Sequence, residues 1–171
     1  MKIALVVDGL QVGGIERVCV DYCKLFLNLG YKVTVFNLRP KLNQLEKEIP
    51  DQVKIVHLSF PRWLAPEKYA KLVKYNFIGK LIYPIIYMLL SIIDYIYKLI
   101  CKICYIECRA KYSYAISFAS HFNDLTFVAD HFINSRHTIS WSHGAIYRYL
   151  LVTDGYINLY NKIGNIVTLV D

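Results

Sequence analysis

Charged residues are scarce in this chain of 171 residues. They make up 19% of it, whereas apolar residues make up 56%, and the mean hydropathy is +0.32. A disordered chain has the opposite balance, so the composition excludes disorder and predicts one domain with a substantial hydrophobic core. The apolar share also exceeds that of an ordinary soluble domain. This predicts apolar surface that faces something other than water.

Acidic residues are fewer than basic ones. There are 13 Asp and Glu against 20 Lys and Arg, which gives a net charge of +7 and a pI near 9.1. Such a balance favours an anionic partner, either a phosphorylated ligand, an acidic membrane surface or nucleic acid. Nucleic acid is disfavoured because the basic residues lie in an apolar helical region and not in a groove-reading motif.

Secretion signals and a disulfide framework are also missing. The first apolar run, residues 2–7, is too short for a signal-peptide core and leads directly into Asp8 and Gly9. Five cysteines, an odd number, favour a reducing compartment. We therefore expect a cytoplasmic protein, with peripheral attachment to the inner face of the cell membrane as an option. Three of the cysteines are closely spaced, but no fourth ligand is near them, so we expect packing residues and no metal site: Cys101, Cys104 and Cys108.

Strand-like and helix-like patterns alternate along the chain. The predicted strands are 2–7, 31–38, 53–58, 112–118, 136–141 and 165–170. The predicted helices are 15–29 with Gly30 as its C-cap, 42–49, 84–109, 123–132 and 145–160. This alternation predicts an α/β, Rossmann-like single domain over 1–171, with a mostly parallel sheet and helices on both faces. The chain stops just after the sixth strand without a covering helix, which favours a C-terminal continuation that is absent here.

A basic and aromatic insert, at about residues 61–111, interrupts the short alternation. It carries nine basic and three acidic residues, or +6 of the net +7. Pro84 fits the first turn of a helix reaching Arg109. Three arrangements remain open: deep packing, an interfacial position on an anionic membrane, and a span, for which the charge-free run 81–93 is short of the required ~18–20 residues. The polar side chains of this helix form one narrow stripe: Ser91, Asp94, Lys98 and Lys102.

The loop after the first strand contains paired glycines but does not spell G-x-G-x-x-G, so a dinucleotide fingerprint is not supported. Gly13 and Gly14 lie at a strand-to-helix turn, where a ligand could approach the backbone and an anion could meet free N–H groups. The alternative is a turn that only needs positive φ. Glu16 either lines such a site or simply complements the helix dipole. No G-x-S-x-G is present, and Asn123 and Asp124 are expected to cap the helix that follows them.

Several segments at predicted strand ends resemble those of a known enzyme family. Gly13 to Leu38 (GGIERVCVDYCKLFLNLGYKVTVFNL) resembles the first βαβ unit of family 4 retaining glycosyltransferases of the GT-B fold. The segments 115–121 (AISFASH) and 138–144 (TISWSHG) are similar to the fourth and fifth strands of that family, each ending in a histidine. Residues 161–170 resemble the strand before the crossing to the second domain. The order and spacing of these segments carry the resemblance, which is weakest between 60 and 111.

The resemblance implies the N-terminal, acceptor-side domain of a GT-B enzyme. It implies a nucleotide-sugar donor as co-substrate, no other cofactor and no metal, because helix dipoles and basic side chains offset the charge of the leaving diphosphate. Gly13 and Gly14 would lie beside the donor phosphates, and His143 next to the transferred sugar as the catalytic candidate. The C-terminal donor-binding domain is absent, so the chain alone would transfer nothing. A C-terminal half acting in trans is therefore an expected partner.

The histidines are not equally strong candidates for site residues. His143, beside Gly144 at a predicted strand end, is the strongest site candidate, because ligands of open α/β sheets bind at the carboxyl ends of strands. His121 is a weaker one, and His57, His131 and His137 are interpreted as ordinary. The predicted function is sugar transfer to a glycan or lipid-linked acceptor in cell-surface polysaccharide synthesis. The alternative is a non-catalytic, membrane-associated subunit of a split enzyme that binds a glycan or lipid.

Overall fold

Six parallel strands form a single sheet in the computed structural model, which describes residues 1–65, 69, 77–119, 121–142 and 155–168. The order of strands is β3-β2-β1-β4-β5-β6, which confirms the predicted Rossmann-like α/β fold with a parallel sheet. The chain runs outward from β1 to β3 and then returns to β4, so β1 and β4 flank the point where the strand order reverses. The strands are β1 (Lys2–Val7), β2 (Lys32–Asn37), β3 (Lys54–His57), β4 (Tyr112–Ser117), β5 (Ser135–Ser142) and β6 (Asn165–Thr168).

Helices cover both faces of the sheet. On one face the core contains buried residues of α1, and on the other it contains residues of the helices that follow β3, β4 and β5. The predicted three-layer arrangement is therefore correct. The helices are α1 (Gly14–Asn28), α2 (Phe77–Cys104), α3 (Ile106–Arg109), α4 (Phe122–Ala129) and α5 (Gly155–Lys162).

The alternation of side chains in β1 explains why its sequence is continuously apolar. Ile3, Leu5 and Val7 belong to the core beneath α1, whereas Ala4 and Val6 belong to the core beneath α4. A central strand of a parallel sheet is buried on both faces, so it has no polar side. The apolar run 2–7 therefore predicted a central strand and not a half-exposed one.

Gly30 ends α1 as the sequence indicated. Its φ of +77° is in the left-handed region that favours glycine. The N–H of Tyr31 donates to the carbonyl of Phe26 at 2.9 Å, and the N–H of Gly30 donates to that of Leu27 at 2.8 Å. This pair of hydrogen bonds is the Schellman motif, which satisfies the last carbonyls of the helix.

Three predicted element boundaries are wrong. The expected helix over 42–49 is reduced to one 3-10 turn at Glu46–Glu48. Pro84 does not begin its helix, because α2 already includes Phe77 and holds Pro84 inside. The exposed side of the helix tolerates this proline, since the carbonyl that loses its N–H partner can meet solvent there. The same helix does not reach Arg109 unbroken, because Tyr105 is extended and separates α2 from α3.

The long helix α2 is not packed deep, so that alternative is wrong. By length and composition it could cross a membrane, and 17% of its most apolar 18-residue window is buried. Its buried positions include Asp94 and Lys98, whereas its opposite side exposes large apolar residues. The helix therefore turns its polar stripe towards the protein and its apolar surface outward.

Candidate functional site

Three polar side chains meet at the carboxyl edge of the sheet. Asp8 follows β1, Arg39 lies just beyond β2, and His121 follows β4. The Asp8 carboxylate lies 2.9 Å from Nη2 of Arg39 and 3.4 Å from Nδ1 of His121. Arg39 also donates from Nε to the Asp8 carbonyl at 2.8 Å, so its guanidinium is fixed at two points. The group lies at the switch point between β1 and β4, where open α/β sheets bind ligands.

A second polar chain continues along the same edge to β3. The side-chain amide of Asn37 donates to the Glu46 carboxylate at 2.7 Å, and Nε2 of His57 lies 2.9 Å from the same carboxylate oxygen. The Asn37 side chain also accepts the N–H of Arg39 at 2.9 Å. The ends of β1, β2, β3 and β4 are thus connected by hydrogen bonds and ion pairs, which hold the loops of this edge in place.

The loop between β1 and α1 depends on Gly9. Its φ is +112°, and a Cβ added there would lie 3.0 Å from Cδ1 of Leu42. The N–H of Leu10 donates to the carbonyl of Leu42 at 2.7 Å, and that of Leu45 donates to the carbonyl of Leu10 at 2.9 Å. The backbone of this loop is therefore fastened to the loop after β2, and only glycine fits at position 9.

Gly13 and Gly14 do not supply positive φ. Gly13 is the N-cap of α1 with φ −164°, an extended conformation, and Gly14 is the first helical residue. A Cβ on Gly13 would meet only the carboxylate of Glu16, the flexible end of a side chain that can move aside. A Cβ on Gly14 would meet nothing within 4 Å. The Glu16 carboxylate thus folds back over the start of α1, where it complements the positive end of the helix dipole.

His121 is placed by the start of α4, whose N-cap it is. Asn123 and Asp124 were expected to cap this helix, but both lie inside its first turn and are buried. The Asp124 carboxylate accepts the hydroxyl of Ser117 at 2.7 Å and the N–H of Ala119 at 3.0 Å. It therefore fixes the turn between β4 and α4, and so the position of His121.

The strongest sequence-based candidates, His143 and Gly144, lie outside the described residues. Strand β5 ends at Ser142, which is buried and pairs with Thr168 of β6. The structure therefore places Gly13, Gly14, Glu16 and His121 at one edge of the sheet, because α1 follows β1 and α4 follows the neighbouring β4. The catalytic role of His143 stays a prediction.

A buried ion pair lies away from this edge, beneath α2. Lys98 is fully buried and donates to the carboxylate of Asp94 and to the hydroxyl of Thr126. Its ammonium also lies 5.3 Å from the ring centre of Phe122 and 5.8 Å from that of Phe60. Burial raises the pKa of the Asp94 carboxyl, and it lowers the pKa of the Lys98 amine.

A cavity of about 310 Å³ adjoins this pair, between α2, α4 and α5. Its lining combines aromatic rings such as Tyr95 and Phe132 with polar groups such as Ser91 and Asp94. An ion pair between Lys162 and Asp130, with 2.7 Å between Nζ and Oδ1, lies at the same cavity. This space lies on a helix-covered face of the sheet, and its lining extends to Phe122, which directly follows His121.

Within the described ranges, no three His, Cys, Asp or Glu side chains come together in a way that could hold a metal ion. Cys101 and Cys108 are buried in the core, as expected of packing residues, whereas Cys104 is exposed. No protein-family model matches the chain, and no curated protein shows significant sequence similarity to it.

Sequence reasoning missed Asp8 and Arg39. Both directly follow predicted strands, and a charged residue immediately after a buried strand is the signal that could have identified them. Their pairing could not be predicted, since it depends on β1 and β2 being neighbours. Glu46 was missed as well, because residues 42–49 were predicted to form one helix.

Proposed function

We propose that this chain is the acceptor-binding half of a retaining glycosyltransferase that uses a nucleotide-sugar donor. The single observation that carries the proposal is the arrangement at the switch point. The loop with Gly13 and Gly14 and the histidine after β4 lie on neighbouring strands at the carboxyl edge. Two of the segments that resemble the family 4 enzymes, 13–38 and 115–121, end at this same edge.

The chemistry of the proposal needs a place for negative charge. In glycosyl transfer, the bond between the anomeric carbon and the diphosphate oxygen breaks, and a bond to the acceptor oxygen forms while the acceptor hydroxyl loses its proton. The charge that develops on the diphosphate is stabilised by N–H groups at a helix start. Gly13 and Gly14 leave the backbone of α1 accessible for this purpose. Glu16 now covers Gly13, so we propose that its carboxylate swings away when the donor phosphates bind.

The remaining site residues keep proposed roles. His143 is assigned to the transferred sugar and Gly144 to the backbone beside it, while His121 and Asp8 line the acceptor side. The acceptor is a glycan or a lipid-linked saccharide, and the setting is polysaccharide synthesis at the inner face of the cell membrane. The donor-binding half would be supplied in trans. Strand β6 offers a place for it, because Ile166 and Val167 are 42% and 37% exposed.

Reconstitution tests this function. The chain is mixed with a GT-B C-terminal half and a labelled nucleotide sugar, and transfer to a glycan or lipid acceptor is measured. His143→Ala should abolish transfer. His137→Ala is the matched control, because His137 is an exposed histidine of β5 that stacks on Tyr114. Equal rates for the two variants would remove His143 from the site, and no transfer with any C-terminal half would contradict the function.

A second candidate function has one observation in its favour. The apolar outer surface of α2 fits a non-catalytic, membrane-associated subunit that binds a glycan or lipid and presents it to a partner enzyme. In that case the chain would bind a lipid-linked saccharide in vesicles without any donor. A neighbouring open reading frame that encodes a GT-B C-terminal half would favour the split enzyme instead.

A further inference from the structure

The helix α2 has the reverse of the pattern found in water-soluble helices. Its inward side carries Asp94 and Lys98, which are 3% and 0% exposed and bonded to each other. Its outward side carries only apolar residues over about 160° of the helix circumference, at about 100° per residue. The members of this outer surface that are at least 40% exposed are Phe77, Ile78, Leu81, Ile82, Ile85, Met88, Leu89, Ile92, Ile93, Tyr95, Ile96, Leu99, Ile100 and Ile103.

Such a surface is too large to be left to water. Fourteen large side chains on one helix of about 42 Å form a continuous apolar strip, whereas monomers in solution rarely expose apolar patches beyond a few hundred Å². In addition, the side of α2 beneath the strip buries an ion pair, whereas a soluble helix would turn such charges outward. Something apolar therefore covers this strip in the working protein.

The helix is held against the domain between Tyr87 and Cys101. The ring of Tyr87 contacts that of Phe122 with 6.5 Å between centres, and further on the Tyr97 hydroxyl donates to the carbonyl of Ser59. Cys101, near its end, belongs to the sheet core. A helix fastened at successive turns cannot pass through a bilayer without detaching, so it lies parallel to the surface that it meets.

The charged residues near the ends of α2 favour binding to an anionic surface. Arg109 and Lys111 are exposed beyond the end of α2, whereas Lys80, near its start, lies on the same side of the helix as Lys98, about five turns earlier. The acidic residues of the same region are neutralised within the described structure. Asp94 is buried against Lys98, Glu107 lies 2.6 Å from Lys54, and Asp130 lies 2.7 Å from Lys162.

Aromatic side chains at the borders of the strip agree with a bilayer interface. Trp63 is 50% exposed, Tyr95 53% and Tyr105 38%. Tryptophan and tyrosine concentrate at the headgroup level of membranes, because their rings are apolar and their N–H or O–H groups reach water. An apolar strip flanked by cations and by interfacial aromatic residues is typical of a helix that lies in the headgroup region of a membrane.

We propose that α2 docks this protein on a bilayer of anionic phospholipids, lying flat in the interface with its apolar strip in the acyl region. Arg109 and Lys111 meet the anionic headgroups. The domain then stays on the aqueous side, held by the contacts of Tyr87, Tyr97 and Cys101. This proposal stands whether or not the chain takes part in glycosyl transfer, because it depends on no residue of the carboxyl edge.

Vesicle flotation with the whole chain tests the docking. The chain should bind phosphatidylcholine vesicles that contain phosphatidylglycerol, and bind better at low salt. Ile85→Gln/Ile92→Gln should weaken binding about tenfold or more, because two exposed apolar side chains leave the acyl region. Leu25→Gln/Leu29→Gln is the control, since these residues of α1 and its C-cap are comparably exposed, at 48% and 57% against 57% and 49%. Arg109→Gln/Lys111→Gln should weaken binding about tenfold on anionic vesicles and leave it unchanged on pure phosphatidylcholine.

Two further measurements fix the geometry. Cys104, which is exposed at the end of α2, should lose its reactivity towards an impermeant maleimide when vesicles are added. Alkaline carbonate should release the bound protein, as it releases interfacial helices. Absence of binding at low salt, or equal binding by the Ile85/Ile92 and Leu25/Leu29 variants, would overturn the proposal. So would resistance to carbonate, which indicates a span, or vesicle-independent self-association that the Ile85/Ile92 change abolishes.

Discussion

The Asp8 carboxylate lies 3.4 Å from Nδ1 of His121, across the point where the strand order reverses. Asp8 is 8% exposed, and the same carboxylate holds the guanidinium of Arg39 at 2.9 Å. One buried acid therefore connects the loops after β1, β2 and β4. It makes the carboxyl edge a preformed surface, which is what binding without a large rearrangement requires.

Replacing this acid should destabilise the fold. Asp8→Ala leaves the largely buried guanidinium of Arg39 without its carboxylate, which we expect to lower the free energy of unfolding by about 1–3 kcal/mol. Urea denaturation followed by circular dichroism measures this. Arg17→Ala is the comparison, because the Arg17–Glu48 pair is exposed and should contribute less than about 0.5 kcal/mol. Equal losses for the two variants would show that Asp8 does not organise the edge.

Alanine substitutions at two glycines distinguish a position whose backbone conformation requires glycine from one that merely lies near a turn. Gly9→Ala should cost about 1–3 kcal/mol, because φ is +112° and the new methyl group meets Leu42. Gly14→Ala should be neutral or stabilise by up to about 1 kcal/mol, since position 14 is helical and open. Thermal unfolding of both variants checks the difference. A Gly14→Ala variant less stable than Gly9→Ala would contradict the loop geometry.

The fold could be predicted from the sequence, whereas much of the site could not. Continuous apolar runs such as 2–7 and the cap at Gly30 depend on local chemistry, so they were recognisable in one chain. The pairing of Asp8 with Arg39 depends on strand order, which local patterns do not contain. The polar stripe on α2 was visible, but its direction was not, because a stripe indicates that two faces differ and not which one meets the protein.

The buried pair on α2 should behave as a unit. Lys98→Met leaves the Asp94 carboxylate buried without its cation, and we expect a loss of about 3–5 kcal/mol of stability. Asp94→Leu/Lys98→Met removes both charges and should be clearly less destabilising than the single change. A double-mutant cycle in urea, with Asp94→Leu as the fourth member, measures the coupling. Additive effects would contradict the pairing.

The ion pair between Lys54 and Glu107 predicts a pH dependence. The hydrogen bond from Lys54 holds the pKa of the Glu107 carboxyl below its usual value of 4.5. A lowered folded-state pKa gives stability that is present above the unfolded pKa and is lost as the pH falls through the folded pKa. Lys54→Gln should therefore be less stable than the unmodified chain at neutral pH, by no more than about 0.5 kcal/mol because Lys54 is mostly exposed. This difference in stability should vanish in acid, below the folded-state pKa of Glu107. Urea titrations at neutral and at acidic pH measure it, and a difference that persisted in acid would contradict the prediction.

The five cysteines should differ sharply in reactivity. Burial raises the pKa of Cys101 to about 11 and that of Cys108 to about 12, so almost none of either thiol is the reactive thiolate at neutral pH. Cys19 and Cys23 are buried as well, whereas Cys104 is exposed. N-ethylmaleimide should therefore add one adduct quickly and the other four only as the protein unfolds, as mass spectrometry of timed samples can show. Cys104→Ser should lose the fast adduct while keeping the slow ones, and a second fast site in that variant would mean that the core beneath α2 opens in solution.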